Sequence, residues 1–187
     1  RAQFLEEDIG DNEDLDGLQN ALDRIETIVE QTLTLAREGE RVGEVESVSL
    51  PELVTDSWAT VDTDTATLTV ETDQTIPADA ERLRNLFENL IRNAVEHGGT
   101  DVTVRIGDLD GGFYVEDDGD GISEAVRDEL FSPGKTSTQG NTGFGLAIVE
   151  GIATAHGWQV EATEAESGGA RFEFTGIKRL APPTPTR

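Results

Sequence analysis

The sequence predicts an α+β fold: a two-layer sandwich in which helices cover one face of a mixed, mostly antiparallel sheet, preceded by a helical arm. Three observations predict it. A heptad-like apolar stripe runs through residues 15–36, a second helical pattern with a broad apolar arc follows Asp79, and period-two alternation recurs in the segments 101–117 and 158–175.

Residues 1–14 are mostly acidic, with Phe4, Leu5 and Ile9 as their large apolar residues. Leu15, Leu18, Leu22, Ile25, Val29, Thr32 and Ala36 then alternate in spacings of three and four up to Gly39. So wide a stripe cannot be buried by one helix alone. Its partner is a second helix of a hairpin, another copy of the chain, or the chain's own body.

From Val45 the period changes. Leu53, Val54 and Trp58 suggest a short helix after Pro51, and Leu68 to Glu71 reads as a strand. Pro77-Ala78-Asp79 is expected to open a strong helix with Asp79 as its N-cap. Asp101 to Ile106 and Gly112 to Asp117 alternate as paired strands, and Glu124 to Leu130 reads as helical. A polar loop, Ser132 to Gly143, leads to an apolar helix over Leu146 to Ala155 that Gly157 closes. Trp158 to Thr163 and Ala170 to Thr175 form a last hairpin, and the Pro-containing tail is expected to fray. The organisation is an arm, 1–46, and an α/β body, 47–187.

Charge narrows the function. Against 14 Lys+Arg stand 39 Asp+Glu in 187 residues, a net charge of -25. That argues against nucleic-acid and anionic-membrane partners, which need basic surface. No apolar run is long enough to span a membrane. With no Cys there is no disulfide and no thiolate chemistry. Among the basic residues only Lys135 and Lys178 are lysines. Heavy carboxylate with scarce Lys fits a protein of concentrated salt, where self-repulsion is screened. The absence of Met and the start at Arg1 are expected of a piece cut from a longer chain.

Three motifs carry chemistry. Asn89, Asn93 and His97 stand at i, i+4 and i+8 beside the apolar arc, at the lip of the core. Asn is a poor interior helix residue. Two in register fit a ligand, and amide oxygens suit a hard cation such as Mg²⁺; a solvated face explains them equally well. Next, Val115 to Ile122 runs a strand into Asp117, Gly119 and Gly121. A carboxylate at a strand end accepts from an exocyclic amine, and glycines admit a flat ligand. An acidic turn is the plain alternative, and the spacing of a calcium loop is not met. Last, Thr142-Gly143-Phe144-Gly145-Leu146 leads into an apolar helix whose backbone N–H groups can cradle phosphate. Lys135, in the loop before it, supplies a cation for a triphosphate or is simply solvated. No Walker A Lys follows, and no βαβ unit surrounds these glycines.

In this order the motifs resemble those of sensor histidine kinases. Glu88 to His97 resembles their N box, Asp117 to Ile122 the G1 box, Phe131 the F box, and Thr142 to Leu146 the G2 box. The resemblance spans Val48 to Phe174 and includes Ala155-His156-Gly157. It implies the Bergerat fold shared with gyrase, Hsp90 and MutL, and an arm like the second helix of a dimerisation and phosphoacceptor hairpin. It further implies that Asn93, with Asn89, holds Mg²⁺ on ATP, that His97 lines the pocket near the phosphates, and that Asp117 binds the adenine amino group. Gly119 and Gly121 would let the base approach. Ser132 to Thr142 would form a lid with Lys135 near the γ-phosphate, and Gly143, Gly145 and Leu146, beside Thr142 and Phe144, would hold the phosphates.

The chain departs from the family pattern in three places. The only His residues, His97 and His156, lack the acceptor context, so the acceptor is absent and the cut is expected downstream of it. Glu96 stands where many relatives carry a basic residue. Asn89 stands where gyrase-type hydrolases carry the Glu that activates water, which argues against fast hydrolysis. The expected function is the catalytic part of a cytoplasmic, haloarchaeal sensor histidine kinase. It would phosphorylate a His on the arm of a homodimer and pass the phosphoryl group to a response-regulator Asp. The rivals are a Ser kinase or ATPase of the same superfamily, a non-catalytic dimerisation and regulator-binding module, and a calcium-binding structural protein.

Overall fold

The structure, a computed structural model, describes residues 43–63, 65–99, 101–123, 127, 130–132 and 144–178. The expected arm helix, most of the helix over 124–130, most of the loop 132–143 and the tail lie outside the described residues.

The described elements run β1 (Glu46–Ser49), α1 (Leu50–Thr60), β2 (Thr67–Glu71), β3 (Thr75–Ala78), α2 (Ala80–Gly98), β4 (Thr103–Leu109), β5 (Gly112–Asp117), α3 (Gly145–His156), β6 (Gln159–Glu164) and β7 (Ala170–Thr175). Five strands form one sheet in the order β2-β4-β5-β7-β6. Only β2 and β4 pair parallel; the other neighbours are antiparallel. The α+β sandwich expected from the sequence is therefore present, with a mixed sheet.

Strand alternation sorts the two faces. Val104, Ile106, Phe113, Val115, Phe172 and Phe174 point inward and share one core with Leu50, Val54, Leu83, Leu86, Phe87, Leu90, Ile148 and Ile152 of the helices. Phe113 stacks on Phe174 with centroids 4.8 Å apart and meets Phe87 at 5.6 Å. The opposite face is charged. Glu116, only 8% exposed, takes Arg105 and Arg171 at 2.7 Å each, and Arg171 lies 3.7 Å over the Tyr114 ring.

One expectation needs correction. Pro77 and Ala78 do not open the helix; they end β3, which pairs with β1 in a separate two-stranded ladder (Glu46↔Ala78, Ser47↔Pro77). Pro is tolerated because a two-stranded ladder asks for hydrogen bonds on one side only. The helix starts at Ala80, and Asp79 caps it as expected, its Oδ1 accepting from Arg82 N–H at 3.2 Å. Asp79 Oδ2 also accepts the N–H of Gly43 at 3.0 Å. Gly157 closes α3 in the left-handed conformation.

Candidate functional site

The site is assembled along the second half of α2. Leu83, Leu86, Phe87, Leu90, Ile91 and Ala94 bury one face of that helix, which leaves Asn89 and Asn93 half-buried at its margin. His97, one turn further, is exposed.

The first residue of α3 lies against this ladder. A Cβ built on Gly145 would sit 3.2 Å from Asn89 Oδ1 and 3.5 Å from Asn93 Oδ1. Gly145 therefore keeps the start of α3 close to both amide oxygens. The first N–H groups of a helix have no intrahelical partner and carry partial positive charge. Phe144 provides no side-chain cap for them. Phe144 and Leu146 are half-buried at this end, and Leu146 packs on the core.

Asn89 Nδ2 donates to the carbonyl of Asn85 at 2.7 Å, which fixes its Oδ1 as the outward atom. Asn93 Nδ2 is buried with no hydrogen-bond partner. Such an orphan costs about 1–3 kcal/mol, a cost that a ligand's acceptor removes. No group of three His, Cys, Asp or Glu among the described residues could hold a metal ion. Two neutral amide oxygens beside a helix N-terminus fit a divalent cation already carried on phosphate oxygens, not a metal held by protein alone.

Asp117 ends β5 on the inner face, and the turn after it meets the C-terminal end of α2. Its Oδ1 accepts the N–H groups of Gly119 at 3.0 Å and Ala170 at 3.1 Å. Oδ2 takes no hydrogen bond from the described residues, so it can serve a ligand donor. Burial pushes the Asp117 carboxyl above its ordinary 3.8, against the lowering effect of the Ala170 and Gly119 N–H groups.

The glycines of this turn are required by the chain itself. A Cβ on Gly119 would fall on the Cα of Gly98 at the end of α2. Gly121 has φ 72°, and a Cβ there would fall on the Gly168 carbonyl oxygen. The turn is thus wedged between α2 and the β6–β7 connection.

The structure brings together Asn89, Asn93 and Gly145, and it joins Asp117, Gly119 and Gly121 to the same helix through Gly98. Lys135, Thr142 and Gly143 lie outside the described residues. Sequence reasoning missed the β6–β7 turn, whose Ala170 holds Asp117. Ser167-Gly168-Gly169 reads only as a hairpin connection, and nothing local marks a contact with a residue some fifty positions earlier.

Known proteins resemble this chain in sequence and in fold. The family model for histidine kinase-, DNA gyrase B-, and HSP90-like ATPases matches residues 78–179. Sensor histidine kinase ZraS of Klebsiella oxytoca is 31% identical over 164 residues, covering 81% of this chain and 35% of the relative. Sensor protein RstB of Escherichia coli K12 is 28% identical, covering 84% and 40%. The chain thus spans well under half of these relatives' lengths. Among solved structures, full-length ShkA in complex with AMPPNP superposes with a TM-score of 0.72 at 26% identity, covering 92% of this chain and 40% of that one. The catalytic domain of histidine kinase ThkA gives 0.61 at 26% identity, covering 71% and 94%.

Proposed function

The chain belongs to the family of histidine kinase-, DNA gyrase B- and HSP90-like ATPases, and on that premise we propose that it is the ATP-binding catalytic portion of a two-component sensor histidine kinase. The observation behind this reading is the meeting of Asn89 and Asn93 with Gly145 at the start of α3. An anion held at the helix N-terminus lies within reach of both amides.

ATP is placed by its two ends. Asp117 Oδ2 accepts from the adenine amino group, and the α3 N-terminus takes the phosphates, joined by Gly143 and Lys135. Asn93, with Asn89, would hold a Mg²⁺ that arrives with the phosphates, and His97 would line the mouth. When bound, the metal neutralises charge on the phosphates of an otherwise acidic protein. Positioning and charge stabilisation are most of what phosphoryl transfer asks of a protein. The γ-phosphoryl then leaves ADP and forms a P–N bond to an acceptor imidazole, which His97 and His156 do not provide. Transfer is favoured over hydrolysis because the ladder carries no carboxylate. Glu88, next to Asn89, is turned away and accepts from Thr60 Oγ1 at 2.9 Å.

The same reading makes residues 1–46 the dimerisation arm, places the protein in the cytoplasm, and hands the phosphoryl group to a response-regulator Asp. The carboxylate-rich, Lys-poor composition supports a haloarchaeal, high-salt source. Calorimetric titration with ATP tests the core of the proposal. Saturable binding with Mg²⁺ that weakens by about tenfold or more in EDTA is expected; no binding under either condition would end it.

A further inference from the structure

Asp117 is gripped from behind by a turn that belongs to none of the motifs. Between β6 and β7 the chain closes through Gly168 N–H to Ala165 O and Ala165 N–H to Gly169 O, both at 2.9 Å. This turn meets Asp117 at three points. Ala170 N–H donates to Oδ1 at 3.1 Å, Ser167 Oγ donates to the Asp117 carbonyl at 3.3 Å, and Gly169 lies against the Asp117 backbone. A Cβ on Gly169 would press on the Asp117 carbonyl group and stand 2.6 Å from its Oδ1. On the far side, Gly121 passes against the Gly168 carbonyl oxygen because it carries no Cβ.

From this we infer that the β6–β7 turn, residues 165–170, is a positioning element that selects the nucleobase by fixing the rotation of the Asp117 carboxylate. The inference rests on the nucleotide reading above and adds to it the source of base discrimination. With Oδ1 committed to two N–H groups, only Oδ2 is offered, at one place and one angle. An adenine presents an amino donor there. A hypoxanthine presents a carbonyl oxygen, which a fixed carboxylate oxygen repels. A carboxylate free to rotate would turn aside and lose that distinction. Residue 170 itself is Ala, so the grip is supplied by backbone and by the absence of a side chain at 169, not by a recognisable polar residue.

The experiment measures ATP and inosine triphosphate affinities, with Mg²⁺, for wild type, Gly169→Ala, Ser167→Ala and Ser167→Thr, with melting temperatures alongside. Wild type should prefer ATP by at least about tenfold. Gly169→Ala should lose about tenfold for ATP, the scale of one misplaced charge-assisted hydrogen bond, and leave inosine triphosphate unchanged. Ser167→Ala should move the ratio in the same direction by about twofold, and Ser167→Thr should restore it. A turn that merely stabilises the fold would weaken both nucleotides alike; a preserved ratio in the variants overturns the inference and leaves the nucleotide reading standing. If Gly169→Ala does not fold, the exposed Ser167 pair decides. A wild type that binds neither nucleotide removes the reading and the inference together; one that binds both equally overturns the inference alone.

Discussion

His156 Nε2 accepts the backbone N–H of Asp79 at 3.0 Å, and this bond ties the last turn of α3 to the cap of α2. The start of α3 meets Asn89 and Asn93, so the two helices are clasped at both ends of their contact. Nδ1 of His156 is 2.8 Å from the Ile152 carbonyl, so Nδ1 carries the proton and the ring is neutral. The ring also stacks on Trp158, centroids 4.4 Å apart.

The clasp makes stability depend on pH. Burial lowers the His156 pKa from 6.5, outweighing the raising effect of the Ile152 bond and of Asp79. On acidification the unfolded chain takes up the proton first. The contribution is therefore present above 6.5 and is lost as pH falls from there towards the lower folded value. At about pH 8, His156→Phe should cost about 1–3 kcal/mol by stranding the Asp79 N–H. The gap to wild type should narrow at about pH 5.5, measured by urea denaturation.

Asp117 acts with the opposite sign. Its folded pKa lies above 3.8, so on acidification the folded state takes up the proton first, and the cost of burying the charge disappears. Nucleotide binding needs the ionised form. ATP affinity should therefore fall at a pH above that of an ordinary Asp, while Asp117→Asn should bind weakly at every pH and show no such step.

Glu116 and Asp117 are neighbours with separable roles, because a strand sends successive side chains to opposite faces. Glu116→Gln breaks the pairing with Arg105 and Arg171 and should lower the melting temperature by about 2–4 °C. Its ATP affinity should match wild type, whereas Asp117→Asn should lose about tenfold or more. Equal loss in both variants would mean that the two faces are not independent.

Gly145 trades helix propensity for closeness. Ala is the better helix residue by up to about 1 kcal/mol, so Gly145→Ala should melt no lower than wild type by more than a degree or two. Its Cβ would intrude at 3.2 Å from Asn89 Oδ1, and ATP affinity should fall by about tenfold. Thermal melts and titrations on the same sample check both halves.

Much of this arrangement was legible in the sequence because its signals are local. The arc from Leu83 to Ala94, the Asp79 cap, the alternation of β5 and the Gly157 stop each depend on spacing within a few residues. The Asn89–Asn93 register followed from helical geometry alone. What was not legible depends on distant partners. β1 and β3 are four residues each and exist as strands because they pair with one another. Parallel pairing of β2 with β4 requires a crossover through β3 and α2, which no alternation pattern encodes. The meeting of Gly169 with Asp117 is of the same kind: glycine at 169 looks like turn chemistry, yet the atoms it must clear belong to β5.

An amide NMR titration with Mg-ATP reads the location of the nucleotide directly. The Asn93 side-chain NH₂ and the backbone N–H groups of Gly119, Gly145 and Ala170 should shift together and saturate at one equivalent per chain. Arg105, Tyr114 and Glu173, on the opposite sheet face, should stay still. Shifts confined to that opposite face, or saturable binding that leaves Asn93 and Gly145 unmoved, would contradict that location.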